Sequence, residues 1–182
     1  MPKAATPARE PLAGLPPSSA LSIERNPPQT FAGRKVGALV TDGVDRPTLE
    51  ELRAALETEG AMLELIAPSI GGVTASDGTL LPVQHKLGGG PSVLFDAVAV
   101  MPSADGSREL LQSAAARDFV AGAFGHLKFI AYTARALPLL EKAGIAADLD
   151  EGCIKLSKLG APAFVIRCRQ LRLWAREGVA KP

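Results

Sequence analysis

The chain has 182 residues, 47% hydrophobic and 21% charged, with twenty Lys and Arg against nineteen Asp and Glu. That length is enough for one domain with its own core plus a tail, and a net charge of +1 with 4% aromatics leaves no basic stripe interleaved with aromatics for nucleic acid. No run of eighteen apolar residues is present to span a membrane, and the N-terminus has Lys3, Arg9 and Glu10 in place of the apolar stretch of a secretory signal.

Residues 1–33 are rich in Pro, Ala and Ser, with Pro2, Pro7, Pro11, Pro16, Pro17, Pro27 and Pro28. Proline removes backbone donors and blocks helix continuation, so this stretch is expected to be an extended, mobile linker ending at Gly33. The domain proper is expected over 34–182. Lys35 to Thr41 is a short apolar run before Asp-Gly and predicts a buried parallel strand. Asp45 then suits a helix cap with Pro47 in the first turn. Leu49, Leu52 and Leu56 follow at helical spacing, and Gly60 is a stop. Met62 to Ile66 predicts a second strand, which makes a right-handed β-α-β unit.

Val73 to Val83 carries Ser76-Asp77-Gly78 between apolar flanks and predicts an inserted hairpin. Leu94 to Met101 reads as a strand with Asp96 at its entrance. Ser107 to Ala123 reads as a helix capped by Ser107, and His126 to Tyr132 as a buried strand. A helix from Ala134 to Ala143 closes on Gly144. A last short strand is predicted at Cys153 to Leu156, and a terminal helix at Ala161 to Arg176 with Phe164, Cys168, Leu171 and Ala175 on one side. Strands alternating with helices define an α/β three-layer sandwich with a mainly parallel, flavodoxin-like sheet and a small hairpin insertion. Cys153 and Cys168 sit in no C-x-x-C or metal-spaced cluster and read as reduced structural thiols of a cytoplasmic protein.

Two stretches carry a family resemblance: F-A-G-R-K-V-G-A-L-V-T-D-G-V at 31–44 and D-G-T-L-L-P-V-Q-H-K-L-G-G-G-P-S-V-L-F-D-A-V-A-V-M-P at 77–102. Together they resemble the C-terminal domain of large-subunit haem catalases, which belongs by fold to the class I glutamine amidotransferase-like superfamily. The resemblance covers about residues 15–182. It implies that 1–33 is the interdomain linker, that Arg172-Leu173-Trp174 belongs to the family's last helix, and that the domain is complete without a catalase core. A fragment, an engineered piece and a separate gene product all fit that expectation.

The resemblance also points to a site. Active superfamily members carry a nucleophile, usually cysteine, on the strand-to-helix turn that here reads F-I-A-Y-T-A-R-A-L-P-L-L. The position falls at Thr133, between Tyr132 and Arg135, and Arg135 stands where a glycine is common. A threonine hydroxyl needs a strong neighbouring base. The superfamily's glutamate position falls near Thr48, and the nearby Asp42 and Asp45 are explained by turn and cap roles. His126 precedes the strand and should lie at the opposite end of the sheet. His85, in V-Q-H-K-L-G-G-G-P-S, follows a hairpin arm and meets Pro91, so the glycines do not open a phosphate-binding helix; a packing or loop hydrogen-bond role suits it. The site is therefore expected to be a degenerate one with no catalytic residue.

Peroxide chemistry on haem needs a distal histidine, a distal asparagine and a tyrosinate ligand. The only tyrosine is Tyr132 and the only asparagine is Asn26, in the linker. No cofactor or metal is expected in this chain, and haem belongs to the core of the resembled parent. Three functions remain. The first is a non-catalytic accessory domain that stabilises a large catalase and packs on its core or tetramer, with hydrogen peroxide detoxified by the parent. The second, implied by superfamily members, is a holding chaperone for unfolded clients. The third, an elbow hydrolase or deglycase, is opposed by Thr133. Neither nucleic acid nor a membrane is an expected partner.

Overall fold

The computed structural model describes residues 18–157 and 160–179, together with residues 6, 9, 12 and 14–16. Most of the expected linker before residue 18 lies outside the described residues.

β1 (Lys35–Val40) is buried from Val36 onward, as a strand covered on both faces must be. α1 (Arg46–Glu59) starts where Asp45 accepts a hydrogen bond from the Thr48 amide at 3.0 Å, with Pro47 in the first turn. It buries Leu49, Leu52 and Leu56 and ends at Gly60, whose φ of 75° closes the helix in the left-handed region. β2 (Met62–Ala67) pairs parallel to β1, Lys35 opposite Met62. The hairpin forms as a two-stranded antiparallel sheet of β3 (Val73–Thr74) and β4 (Leu80–Leu81). β5 (His85–Lys86), which no periodicity announces in so short a segment, adds to the edge of the main sheet beside β2.

The remaining strands are β6 (Ala97–Met101), β7 (Ile130–Tyr132) and β8 (Cys153–Lys155). Among the described residues the main sheet has the order β5-β2-β1-β6-β7-β8, every pair parallel. Helices cover both faces, which makes the expected flavodoxin-like three-layer α/β sandwich. On one face α1 and α5 (Gly160–Cys168) pack Leu49, Leu52, Leu56, Phe164 and Cys168 against Val36, Ala38 and Val40. On the other, α3 (Ala114–Gly125) and α4 (Leu137–Lys142) pack Phe119, Val120, Leu139 and Leu140 against Leu39, Val98, Val100 and Ile130. Each large side chain so buried contributes about 1.5–3 kcal/mol.

Several elements depart from the periodicity. The helix expected at 107–123 is two: α2 (Ala104–Leu110), capped by Ser103, and α3, capped by Ser113. Ser113 accepts from the Ala116 amide at 3.2 Å and restarts the helix. Ser107 is not a cap; its hydroxyl donates to the Arg135 carbonyl at 2.8 Å. The strand expected from residue 94 starts at Ala97, because Ser92–Leu94 forms a 3-10 turn. The strand expected from residue 126 starts at Ile130. Leu127 adopts φ 60°, and Lys128 turns inward to donate to the Ser92 and Phe95 carbonyls, each at 2.6 Å. The helix after Tyr132 opens as a 3-10 turn, Ala134–Ala136, before α4.

The terminal helix stops at Cys168. Leu171, at φ 62°, redirects the chain, and Trp174–Arg176 forms a separate 3-10 turn in place of the expected last helix. The cause is Arg176. Its side chain is fully buried, paired with Asp150 through two bonds at 2.6 and 2.7 Å, bonded to the Lys128 carbonyl and stacked over Phe124 at 4.3 Å. One continuous helix would carry Arg176 away from these partners.

Phe31, inside the proline-rich stretch, is fully buried in the α1/α5 core. Its amide donates to Glu59 at 3.0 Å, and Arg169 grips the same carboxylate through two bonds at 2.9 and 2.7 Å. The Arg169 bond and the Phe31 amide pull the Glu59 pKa from its ordinary 4.5 to about 2. The unfolded chain therefore binds a proton in this window that the folded chain does not. The contribution of Glu59 to stability is full above about pH 4.5 and is lost as pH falls through about 2. The urea midpoint of the wild type should drop further between pH 6 and pH 3 than that of Glu59→Gln. Equal drops would refute this.

Candidate functional site

In an open parallel sheet, ligands bind outside the carboxyl ends of the strands, where the strand order reverses. Here that reversal lies between β1 and β6. Three loops meet at that edge: 41–45 after β1, 102–103 after β6, and Thr133 after β7.

The crevice between the first two is closed. The Thr41 hydroxyl accepts from the Ser103 amide at 3.0 Å and lies 3.4 Å from the Ser103 hydroxyl, which accepts from the Gly106 amide at 3.0 Å. Thr41 is buried, and the first turn of α2 lies directly on it. Both carboxylates of the β1 loop are also committed. Asp42 accepts from the Thr74 amide at 2.7 Å and so holds the hairpin, while Asp45 takes the Thr48 amide and, at 2.6 Å, its hydroxyl.

Thr133 stands between β7 and the 3-10 turn at 134–136, at the strand-to-helix junction. A nucleophile turn of this kind is sharp and strained. Thr133 has φ −90° and ψ 162°, ordinary extended backbone, and among the described non-glycine residues positive φ occurs only at Leu127 and Leu171. The Thr133 amide donates to the Val100 carbonyl at 3.1 Å, and its hydroxyl oxygen is enclosed without a hydrogen-bond partner among the described residues. Arg135 is exposed, and Tyr132 is half-buried against the α3/α4 core.

The histidines are elsewhere. His126 closes α3, its Nδ1 2.7 Å from the Gly122 carbonyl. His85 lies on edge strand β5, its Nε2 2.7 Å from Glu64, with its ring edge-on to Phe95 at 5.6 Å. The structure thus joins the Ser107 hydroxyl to the backbone just after Thr133 and brings neither histidine to that turn. Activating a threonine hydroxyl takes a neighbouring base, and no side chain among the described residues hydrogen-bonds to that of Thr133.

The single tyrosine, Tyr132, packs into the sheet's own covering layer, and the two histidines stand apart from it on β5 and at the end of α3. Among the described residues no three His, Cys, Asp or Glu side chains come together, and no helix is long and apolar enough to cross a membrane.

The cysteines are free thiols of different depth. Burial pushes Cys153 up to about 11 and Cys168 well above its ordinary range. Reaction needs thiolate. Iodoacetamide at neutral pH should therefore label neither in the folded chain and both after denaturation; rapid native labelling would contradict this.

The sheet order and covering helices define the flavodoxin-like class shared by DJ-1, ThiJ and PfpI proteins. A ThiJ/PfpI family protein from Pseudomonas syringae superposes with a TM-score of 0.63 at 16% identity, covering 93% of this chain and 81% of that one. Oxidized DJ-1 of Toxoplasma gondii gives 0.61 at 15% identity, covering 74% and 88%. These likenesses are of fold.

Sequence supplies the family. Residues 32–166 match the C-terminal domain found in long catalases. Catalase C of Rhizobium meliloti (strain 1021) is 51% identical over 182 residues, all of this chain and 26% of that protein. Catalase HPII of Pseudomonas putida is 34% identical over 172 residues, 92% of this chain and 23% of that one. The chain belongs to the family of C-terminal domains of long catalases, and it spans about a quarter of the length of these relatives.

Proposed function

We propose that the chain serves a long catalase as an accessory domain that stabilises the enzyme and carries no catalytic group itself. One observation carries the reading: Thr133 stands on unstrained backbone with an enclosed, unpaired hydroxyl, in a family whose members extend catalases. The attached catalase core would be its partner and would hold the haem. The two free thiols support a cytoplasmic setting.

The test uses a long catalase carrying this domain. Its removal should leave peroxide turnover per bound haem within about twofold while shortening the half-life on heating, and Thr133→Val should change neither. Loss of turnover with haem still bound, or a slower reaction in Thr133→Val, would overturn the reading.

A second reading has one specific observation behind it. Leu12, Leu15, Leu21 and Ile23 all expose most of their side chains along one short stretch. Apolar surface of that kind suits the capture of unfolded clients. Light scattering from a heat-labile enzyme mixed with excess chain decides it, and unchanged aggregation removes it.

A further inference from the structure

At the amino end of the sheet, opposite Thr133, a groove of about 310 Å³ runs between residues 23–28 and 170–174. Its walls include Ile23, Leu171 and Trp174, and its charged groups are Arg34, Arg172 and Asp96. Asp96 is the only carboxylate among the residues of this groove, and it is already used. One oxygen faces Arg34 at 3.2 Å and the other accepts the Lys35 amide at 3.0 Å.

Arg172 is half-buried. Its Nη1 donates to the Leu171 carbonyl at 2.7 Å and the Asp96 carbonyl at 3.3 Å, and its other donors have no protein partner among the described residues. Burial lowers its pKa, Asp96 opposes this, and the like charge of Arg34 adds to it. Lys128, buried behind the groove on two carbonyls, is a third cation in the same neighbourhood. Arg34 and Arg172 thus share one engaged carboxylate, so the groove carries net positive charge and the free donors of Arg172 stay open to a ligand. Leu171, with its left-handed backbone, is what turns Arg172 and Trp174 toward this groove.

We propose that this groove binds a small amphipathic anion, a carboxylate on a planar apolar body. The guanidinium fork of Arg172, with Arg34 beside it, would take the carboxylate. Trp174 and the aliphatic walls would take the body. The same chemistry could arrive as an acidic side chain of a peptide; the volume, at the lower end for small-molecule sites, favours a free molecule.

Trp174 is the only tryptophan, so its fluorescence reports on this groove alone. Benzoate should change it saturably, with a dissociation constant on the order of 1 mM that weakens as salt is added. Acetate, which lacks the body, and benzyl alcohol, which lacks the charge, should each bind about tenfold more weakly or worse. Arg172→Gln should lose about tenfold or more, and Arg172→Lys should lose part, since it keeps the charge without the fork. Amide chemical-shift mapping with benzoate on the unsubstituted chain should place the shifts at residues 23–28, 34 and 170–174, independently of how the variants fold. No saturation, an unchanged response in Arg172→Gln, benzyl alcohol equal to benzoate, or shifts elsewhere would each overturn the proposal. Tighter binding of acetyl-Leu-Glu-Leu-amide than of benzoate would overturn it in favour of a peptide site.

Discussion

Replacing Arg176 with methionine should cost about 3–5 kcal/mol and lower the melting temperature by about 6–20 °C. The guanidinium has no solvent exposure, so none of its partners can be replaced by water without rearrangement. Burial disfavours a charged Asp150, and the bonds from Arg176 overcome that and hold its pKa below the ordinary carboxylate value. Without Arg176 the carboxylate is left half-buried and uncompensated, and the Lys128 carbonyl loses its 2.7 Å donor. Asp150→Asn in the same chain should recover part of the loss, because it removes the stranded charge. Strictly additive losses would show that the pair is not coupled. A melting temperature within about 2 °C of the wild type for Arg176→Met would contradict the account.

Gly106→Ala should also destabilise the fold, by a smaller amount and a different mechanism. A methyl group built at Gly106 overlaps the Thr41 side chain, including its Cβ, and Thr41 is itself buried. Trimming a rotamer cannot relieve an overlap with Cβ, so α2 must shift or the end of β1 must yield. Overpacking of this kind costs about 1–3 kcal/mol. Thr41→Gly in the same chain removes the overlapping atoms and should restore part of the urea midpoint lost by Gly106→Ala. A single Gly106→Ala variant within about 0.5 kcal/mol of the wild type would show that the contact is softer than described.

These two sites mark where reading the residues stops. α1 was legible in full, because its cap, first-turn proline, leucine spacing and terminal glycine are all local signals in residues 45–60. β1 and β2 followed from apolar runs of the right length, and the position of Thr133 followed from the family resemblance. The break between α2 and α3 was not legible, since Ser103, Ser107 and Ser113 offer rival caps and only packing chooses among them. No local signal marks Lys128 and Arg176 as buried. What buries them is the carbonyls of residues 92 and 95 and the carboxylate of Asp150, all distant in sequence. The closure of the crevice at the β1/β6 edge depends on Thr41 and Gly106 meeting, which no periodicity encodes. Nor did the pattern foretell the groove beside Trp174, because Leu171 and Trp174 were expected on a helix that in fact ends at Cys168.

The clasp on Glu59 has a mechanical consequence. A pull applied on the amino side of this region enters through the residues before Phe31. That load meets the buried Phe31 ring first, and then an amide and a guanidinium sharing one carboxylate. From there it divides between α1, which ends at Glu59, and α5, whose last turn leads to Arg169. β1 lies just beyond, bonded to parallel neighbours on both sides, so the strand would have to shear past β2 and β6 together before it could peel away. A fold anchored in this manner spreads such a force across a helical layer, and it should resist unravelling from its first strand.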